Sequence, residues 1–155
     1  MLKRNVYVLS IRDSTEGVLR VDLKDILHAL RSYIGRWTWC VRGLDAAGED
    51  LGEFCDLTEK APVWLSSQEL LALSQRIEQT IEGAFLAFPE RLSEVDLDES
   101  ELELGRFPES RSELVIVAVD SSCFDVYTKD LDCADVIRQS FKDVRSHDPQ
   151  LVFGS

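Results

Sequence analysis

The feature that most constrains this 155-residue chain is the acidic stretch from Ser93 to Glu113. A dense series of like charges cannot form a packed core, because each unpaired charge would lose its hydration. We therefore expect residues 93–113 to be an exposed, mobile connection, or a surface that meets a positively charged molecule. The stretch holds two arginines and eight carboxylates, which belong to Glu94, Asp96, Asp98, Glu99, Glu101, Glu103, Glu109 and Glu113.

The charge of the whole chain limits its macromolecular partners. Lysine and arginine number 17 against 29 aspartates and glutamates, which gives a formal net charge of −12. Phosphate backbones and anionic membrane surfaces both attract basic proteins, so this balance argues against binding to nucleic acid or to a membrane. A basic protein is the partner that the charge favours. Net negative charge also keeps proteins soluble, and that simpler interpretation applies to any acidic chain.

The N-terminal sequence and the cysteines indicate a reducing compartment. The apolar run from Val6 to Leu9 is too short for the core of a signal peptide, and no window is long enough to span a bilayer as a helix. We therefore expect a cytoplasmic protein in which all four cysteines are reduced. No C-x-x-C pair occurs and the two histidines lie far from a second ligand in sequence, so the pattern predicts neither a metal site nor a cofactor.

Hydrophobic periodicity predicts six strands and three helices. Ser66 and Glu69 form an S-x-x-E capping box, in which each side chain satisfies a backbone amide of the other residue. Strands are expected at 5–12, 36–44, 51–57, 84–88, 114–119 and about 124–128. Helices are expected over 22–34, 66 to about 81, and 130 to about 144.

The length and the order of these elements indicate the fold class. A chain of this size fits one domain, here 1–155, and buries roughly 70% of its unfolded surface. The elements do not alternate as regular βαβ units, which argues against a doubly wound parallel sheet. We expect an α+β fold with a single antiparallel or mixed sheet of about five to six strands and about three helices, packed mainly on one face.

Two local patterns suggest chemistry and fail on inspection. Asp96-x-Asp98-x-Ser100 begins like a calcium loop, but Glu101 stands where the loop needs glycine, and Phe107 stands where it needs glutamate. Asp120-Ser121-Ser122-Cys123 follows a strand and could hold a nucleophile, with His28 or His147 as its base. The same residues are typical of a hairpin turn, and no catalytic motif surrounds them. The sequence therefore identifies no catalytic residue.

The tryptophans of the 36–44 strand are the candidate apolar anchors. Trp37 and Trp39 alternate with polar residues, as expected for a half-buried strand with one apolar side. Large aromatic side chains at this spacing most often belong to the core, and in other proteins they anchor an interface. If these two rings face a groove, they would supply the apolar part of a binding site.

Our leading hypothesis is a small acidic protein-binding module that engages a basic partner protein. Bacterial immunity proteins and antitoxins that cover basic toxins are an analogy of type, without a shared motif. The alternatives are a small enzyme that uses carboxylates or Cys123 in a cleft, and a homo-oligomeric structural module. The candidate partner-binding residues are Glu94, Asp96, Asp98, Glu99, Glu101, Glu103, Trp37 and Trp39.

Overall fold

A seven-stranded antiparallel sheet forms the centre of the fold in the computed structural model, which describes residues 5–89 and 98–154. In chain order the strands are β1 (Tyr7–Ile11), β2 (Ser14–Thr15), β3 (Val18–Leu19), β4 (Trp37–Gly48), β5 (Val63–Ser66), β6 (Ile77–Pro89), β7 (Leu114–Val119), β8 (Cys123–Thr128) and β9 (Val144–His147). Their order across the main sheet is β5-β4-β6-β7-β8-β1-β9, while β2 and β3 pair separately as a short ribbon.

Helices and 3₁₀ turns fill most of the connections. The α-helices are α1 (Leu23–Ala29), α2 (Gly52–Lys60), α3 (Ser67–Arg76), α4 (Leu131–Ser140) and α5 (Pro149–Phe153), and 3₁₀ turns cover Ile34–Arg36, Glu99–Leu102 and Leu104–Arg106. The α+β class and the antiparallel sheet are confirmed. The described residues nevertheless hold more elements than the sequence pattern predicts, with seven strands in the main sheet and five α-helices.

The first face of the sheet carries the larger core. Cross-strand pairing places Val41, Phe85, Ile116, Val126 and Leu9 in one row, and all five side chains are fully buried. Helices α1 to α4 cover this face with their apolar sides. Each such side chain contributes about 1.5–3 kcal/mol when it leaves water, so this layer supplies most of the stabilising burial.

The second face is also apolar and is covered by a different part of the chain. Its central row includes Cys40, Leu86 and Val115, which are no more than 1% exposed. Leu102 and Phe107, from the connection between β6 and β7, close over this row. The strand expected at 36–44 is therefore buried on both sides at its middle, and the prediction of a half-buried strand is wrong there.

The strand expected at 51–57 is also wrong, because these residues lie in α2. Leu51, Phe54, Cys55 and Thr58 follow helical spacing, and all four lie on the side that faces the core. The Thr58 hydroxyl accepts a hydrogen bond from the Leu44 amide at 2.9 Å and donates one to the Cys55 carbonyl at 2.8 Å. The first bond fastens α2 to β4, and the second, within α2, orients the hydroxyl.

Helix α3 begins at the predicted capping box and ends five residues earlier than predicted, at Arg76 rather than Ile81. The amide of Glu69 donates to the Ser66 hydroxyl at 3.1 Å, and the Ser66 amide donates to the Glu69 carboxylate at 3.0 Å. From Ile77 onward the chain pairs with β4 as the long strand β6. Pairing with a distant strand has overridden a local apolar spacing that suits either structure.

The last predicted helix is likewise shorter than expected. Helix α4 ends at Ser140, and residues 144–147 add β9 to the free edge of β1. The carboxylate of Asp13 accepts hydrogen bonds from the amides of Lys142 and Asp143 at 2.9 and 2.7 Å. These two bonds fix the turn that leads into β9. The strand predicted at 114–119 is confirmed as β7, which lies between β6 and β8.

The burial of Phe107 leads to a prediction about stability. Its ring is 1% exposed and contacts the rings of Tyr127 and Phe153. Phe107→Ala should lower the free energy of unfolding by about 3–5 kcal/mol, because it leaves a cavity over the second face. Denaturant unfolding measures this loss.

Leu151→Ala is the matched control, because Leu151 is 86% exposed and its removal should cost less than about 0.5 kcal/mol. If Phe107→Ala costs as little as the control, the connection is not part of the core.

Candidate functional site

The acidic stretch divides its side chains between the core and the surface. In its described part, 98–113, Leu102 and Phe107 are buried, whereas Asp98, Glu99 and Glu103 are exposed. The 3₁₀ turns produce this division, because they turn the interleaved leucines toward the sheet and the carboxylates toward water. The expectation of a purely exposed connection therefore needs correction for these residues. They form a packed cover with a charged outer surface.

Hydrogen bonds fix the conformation of this cover. The Arg111 guanidinium donates to both carboxylate oxygens of Glu101, at 2.9 and 2.7 Å, and the Arg111 amide donates to the same carboxylate at 3.1 Å. The Arg111 side chain beside it lowers the pKa of Glu101 below its ordinary value. The hydroxyl and amide of Ser100 likewise lower the pKa of Asp98, which caps the 3₁₀ turn Glu99–Leu102. Glu101 and Asp98 are thus structural members of the cover.

A buried lysine holds the other end of the cover. Lys129, which is 8% exposed, donates from Nζ to the carbonyls of Ser110 and Ser112 at 2.5 and 2.7 Å. The same ammonium lies 4.6 Å from the centroid of the Phe107 ring. A cation over an aromatic face is attracted by the ring quadrupole. Lys129 therefore stabilises both the backbone of the cover and the position of the Phe107 ring.

The tryptophans offer little surface to a partner. Trp39 is fully buried and Trp37 is 7% exposed, and their rings pack edge to face 5.7 Å apart within the first-face core. The indole N–H of Trp39 donates to the Ser67 hydroxyl at 3.0 Å. Trp39 is therefore structural, whereas the small exposed part of Trp37 lines a depression of about 540 Å³ with Arg36 and Leu131. The exposed candidates among the described residues are carboxylates. Glu94 and Asp96 lie outside the described residues.

A second group of carboxylates, on β4 and α2, meets the acidic cover. Glu59 of α2 and Glu103 of the cover line one shallow depression of about 320 Å³ over β4. Burial raises the pKa of the nearby Cys55 thiol, and the charges of Asp45, Asp56 and Glu59 raise it further. We use the name acidic surface for the exposed carboxylates of these two groups, Asp45, Asp56, Glu59, Asp98, Glu99 and Glu103, of which Glu59 and Glu103 line the same depression beside Arg42.

Sequence analysis does not identify the α2 group as part of a site. The acids at 45–59 are visible in the sequence, but a strand prediction for 51–57 would scatter them over two faces of a sheet. Correct assignment of α2 from the spacing of Leu51, Phe54, Cys55 and Thr58 would place the acids together on its outer side. The approach of Glu59 to Glu103 depends on the packing of the cover, which no local pattern encodes.

A polar cluster lies elsewhere on the second face, where Ser10, Asp125 and His147 from β1, β8 and β9 meet. The Ser10 hydroxyl donates to Asp125 Oδ1 at 2.5 Å and lies 2.7 Å from His147 Nε2. A hydroxyl has one proton, and here the carboxylate receives it, so the imidazole must donate to Ser10 rather than accept from it. This direction is opposite to the one that activates a serine nucleophile. Ser10 is also only 2% exposed.

Cys123 lacks the surroundings of a reactive thiol. Burial raises its pKa, the Asp125 charge raises it further, and Sγ lies 3.8 Å from Asp125 Oδ1. Nucleophilic cysteines need a depressed pKa, because the thiolate is the reactive form. Asp120 and Ser121 have positive φ angles of 46° and 57°, and the Ser122 amide donates to the Val119 carbonyl, as in a hairpin turn. The Asp-Ser-Ser triplet is therefore a turn.

Three further findings concern the part of the chain that the structure describes. Within 5–89 and 98–154, no group of three or more His, Cys, Asp or Glu side chains is arranged to hold a metal ion. None of the four cysteines is in a disulfide. No helix among the described residues is long and apolar enough to cross a membrane.

Comparison with known proteins assigns this chain to no family. No protein-family model, curated protein or solved structure shows significant similarity to this chain.

The environment of Cys123 predicts its pH profile. Alkylation by iodoacetamide should be slower than that of glutathione near neutral pH, and its rate should rise at a higher pH than that of glutathione, because the raised pKa keeps the thiol protonated. Mass spectrometry of the modified peptide, with glutathione as the reference at each pH, measures the rate. A rate that rises at a lower pH than that of glutathione would instead indicate an activated thiolate.

Proposed function

We propose that this protein is a small acidic protein-binding module that engages a basic partner protein through the acidic surface. The observation that supports the proposal most is the meeting of Glu59 and Glu103 at one depression, with the carboxylates of two separate chain segments turned outward. The cytoplasm is the proposed location, because all four cysteines are free thiols, as in proteins of a reducing compartment. Inhibition of a basic protein by masking its surface, as immunity proteins do, remains an analogy.

The proposed mechanism begins with electrostatic steering. Two exposed opposite charges 4 Å apart attract by about 1 kcal/mol in water, so a single contact contributes little. Several carboxylates of one sign create a field that extends about 10 Å at 0.1 M salt, which increases the rate of encounter with a basic surface. The acidic surface would therefore act mainly on the association rate and on the choice of partner.

Rigidity of the surface supports binding over a purely solubilising role. The cover is fastened by the Glu101–Arg111 pair, by Lys129 and by the buried Phe107 ring. Charges on a fixed backbone lose less conformational entropy on binding than charges on a flexible tail. A chain that needed negative charge only for solubility could carry it on any exposed loop.

The enzyme alternative has less support. The described polar cluster directs the Ser10 proton to Asp125, and the pKa of Cys123 is raised rather than lowered. A homo-oligomeric module would pair a second copy with an edge strand of the main sheet, β5 or β9. The net charge of −12 opposes the approach of two like copies.

The proposal predicts a rate effect that is specific to position. Glu59→Gln with Glu103→Gln should slow association with a captured basic partner about three- to tenfold at roughly 0.05 M salt, because the field at the depression weakens. Folding stability should change by less than about 0.5 kcal/mol, because both carboxylates are exposed. Stopped-flow or surface-based kinetics measure the rate, with the partner recovered on the tagged protein at low ionic strength.

The control is a pair with the same loss of charge at another place, Glu16→Gln with Glu78→Gln, both exposed in the structure. Its association rate should stay close to that of the parent. Equal slowing by both pairs would mean that only the net charge of the protein matters. No slowing by either pair would show that the acidic surface takes no part in the association.

A further inference from the structure

Among residues 5–89 and 98–154, the cover over the second face of the sheet stops one row short. In the central row, Leu86 and Val115 are each 1% exposed beneath the cover. In the next row along the strands, Ala84 pairs with Val117, and both are only half-buried. Val119, one step further, is 36% exposed. An apolar corner of the sheet, Ala84, Val117 and Val119, is therefore open to solvent in this structure.

Carboxylates surround this apolar corner. A depression of about 360 Å³ over it is lined by Glu82 and Asp120 as well as by Ala84 and Val117. It shares Arg42, Gly43 and Ala84 with the depression of about 320 Å³ where Glu59 and Glu103 meet. The two depressions form one continuous shallow surface, with Arg42, Ala84 and Val117 in its floor and carboxylates at its margins.

One cation in the floor limits what the centre can accept. Arg42 is half-buried and donates from Nη1 to the Leu102 carbonyl at 3.1 Å, so its guanidinium is held in place beneath the surface. A second cation placed directly over it would be repelled. A positively charged partner is thus favoured at the margins, beside Glu82, Glu103, Glu59 or Asp120, and an uncharged apolar group is favoured at the centre.

We infer that this corner is the docking site for a partner segment that places an aliphatic side chain on Ala84, Val117 and Val119 between flanking lysines or arginines. The inference rests on the proposed function and adds the apolar anchor that the buried Trp37 and Trp39 cannot supply. Steering by exposed charges alone gives fast but weak association, whereas burial of an apolar group at the centre of an interface slows dissociation. Lysine and arginine stems can lie over the valines while their charged ends reach the carboxylates.

Two synthetic peptides test the inference on the intact protein by amide-resolved NMR titration at roughly 0.05 M salt. One has the sequence Lys-Lys-Leu-Val-Lys-Lys and the other Lys-Lys-Ser-Ser-Lys-Lys. Both should perturb the amides of Glu59 and Glu103. Only the first should perturb Ala84, Val117 and Val119, and it should bind at least about threefold more tightly, because only its centre can bury apolar area.

Val117→Thr keeps the shape of the side chain and replaces one methyl group with a hydroxyl. It should therefore reduce the affinity of the first peptide to that of the second. Val18→Thr is the matched control, because Val18 is 54% exposed on β3 and lies outside the corner. An unchanged far-ultraviolet circular dichroism spectrum of both variants would show that the fold is retained.

The outcomes separate the inference from the proposed function. If both peptides bind the acidic surface equally and the corner does not respond, the docking site is wrong while the acidic surface stands. If the first peptide perturbs another apolar region, such as the depression of about 570 Å³ lined by Val6, Pro149 and Phe153, the docking site is also wrong. If neither peptide binds at low salt, both the inference and the proposed function fail.

Discussion

The rest of the structure depends on one requirement, that both faces of an apolar sheet must be removed from water. The rows through Phe85 and through Leu86 are equally buried, although they point to opposite sides. Helices α1 to α4 occupy the first face, so another part of the chain has to close the second. That part is the described section, 98–113, of the acidic stretch. It can cover an apolar face because its leucines and Phe107 turn inward and its carboxylates turn outward.

The same arrangement links the core to the proposed interaction. Packing of Leu102 and Phe107 holds Glu103 at a fixed position on the surface, and α2 brings Glu59 to the same depression. Lys129 and Arg111 supply positive charge within the cover, where it opposes the repulsion among the carboxylates. The described part of the cover leaves Val117 half-buried and Val119 36% exposed, so apolar surface lies beside the acids. Fold stability and the candidate binding surface thus depend on the same few side chains.

Local signals in the sequence are sufficient for part of this fold. The capping box at Ser66 and Glu69 fixes the start of α3, and the valine-rich run at 114–119 predicts a central strand. Elements whose conformation depends on a distant partner are not predictable in this way. Residues 77–81 have an apolar spacing that suits a helix, and pairing with β4 makes them a strand.

The candidate site was less accessible to sequence analysis than the fold. The alternation of leucine and acid between 98 and 104 is compatible with a solvated loop, and only the presence of an uncovered sheet face makes it a cover. The presence of Glu59 and Glu103 at one depression requires α2, β4 and the cover to be placed together. The meeting of Ser10, Asp125 and His147 depends on β1 lying between β8 and β9, which is a property of the whole sheet.

Native-state amide hydrogen exchange tests the central claim, that the acidic stretch is a packed cover, most directly. The amides of Phe107, Ser110 and Glu113 donate to the carbonyls of Leu104, Arg106 and Ala87 at 3.1, 3.0 and 2.7 Å. They should exchange at least about 100-fold more slowly than their intrinsic unstructured rates, because opening them requires the cover to leave the sheet. Exchange of all three at the unstructured rates, while the amides of β7 remain protected, would contradict the account and return 98–113 to the status of a solvated connection.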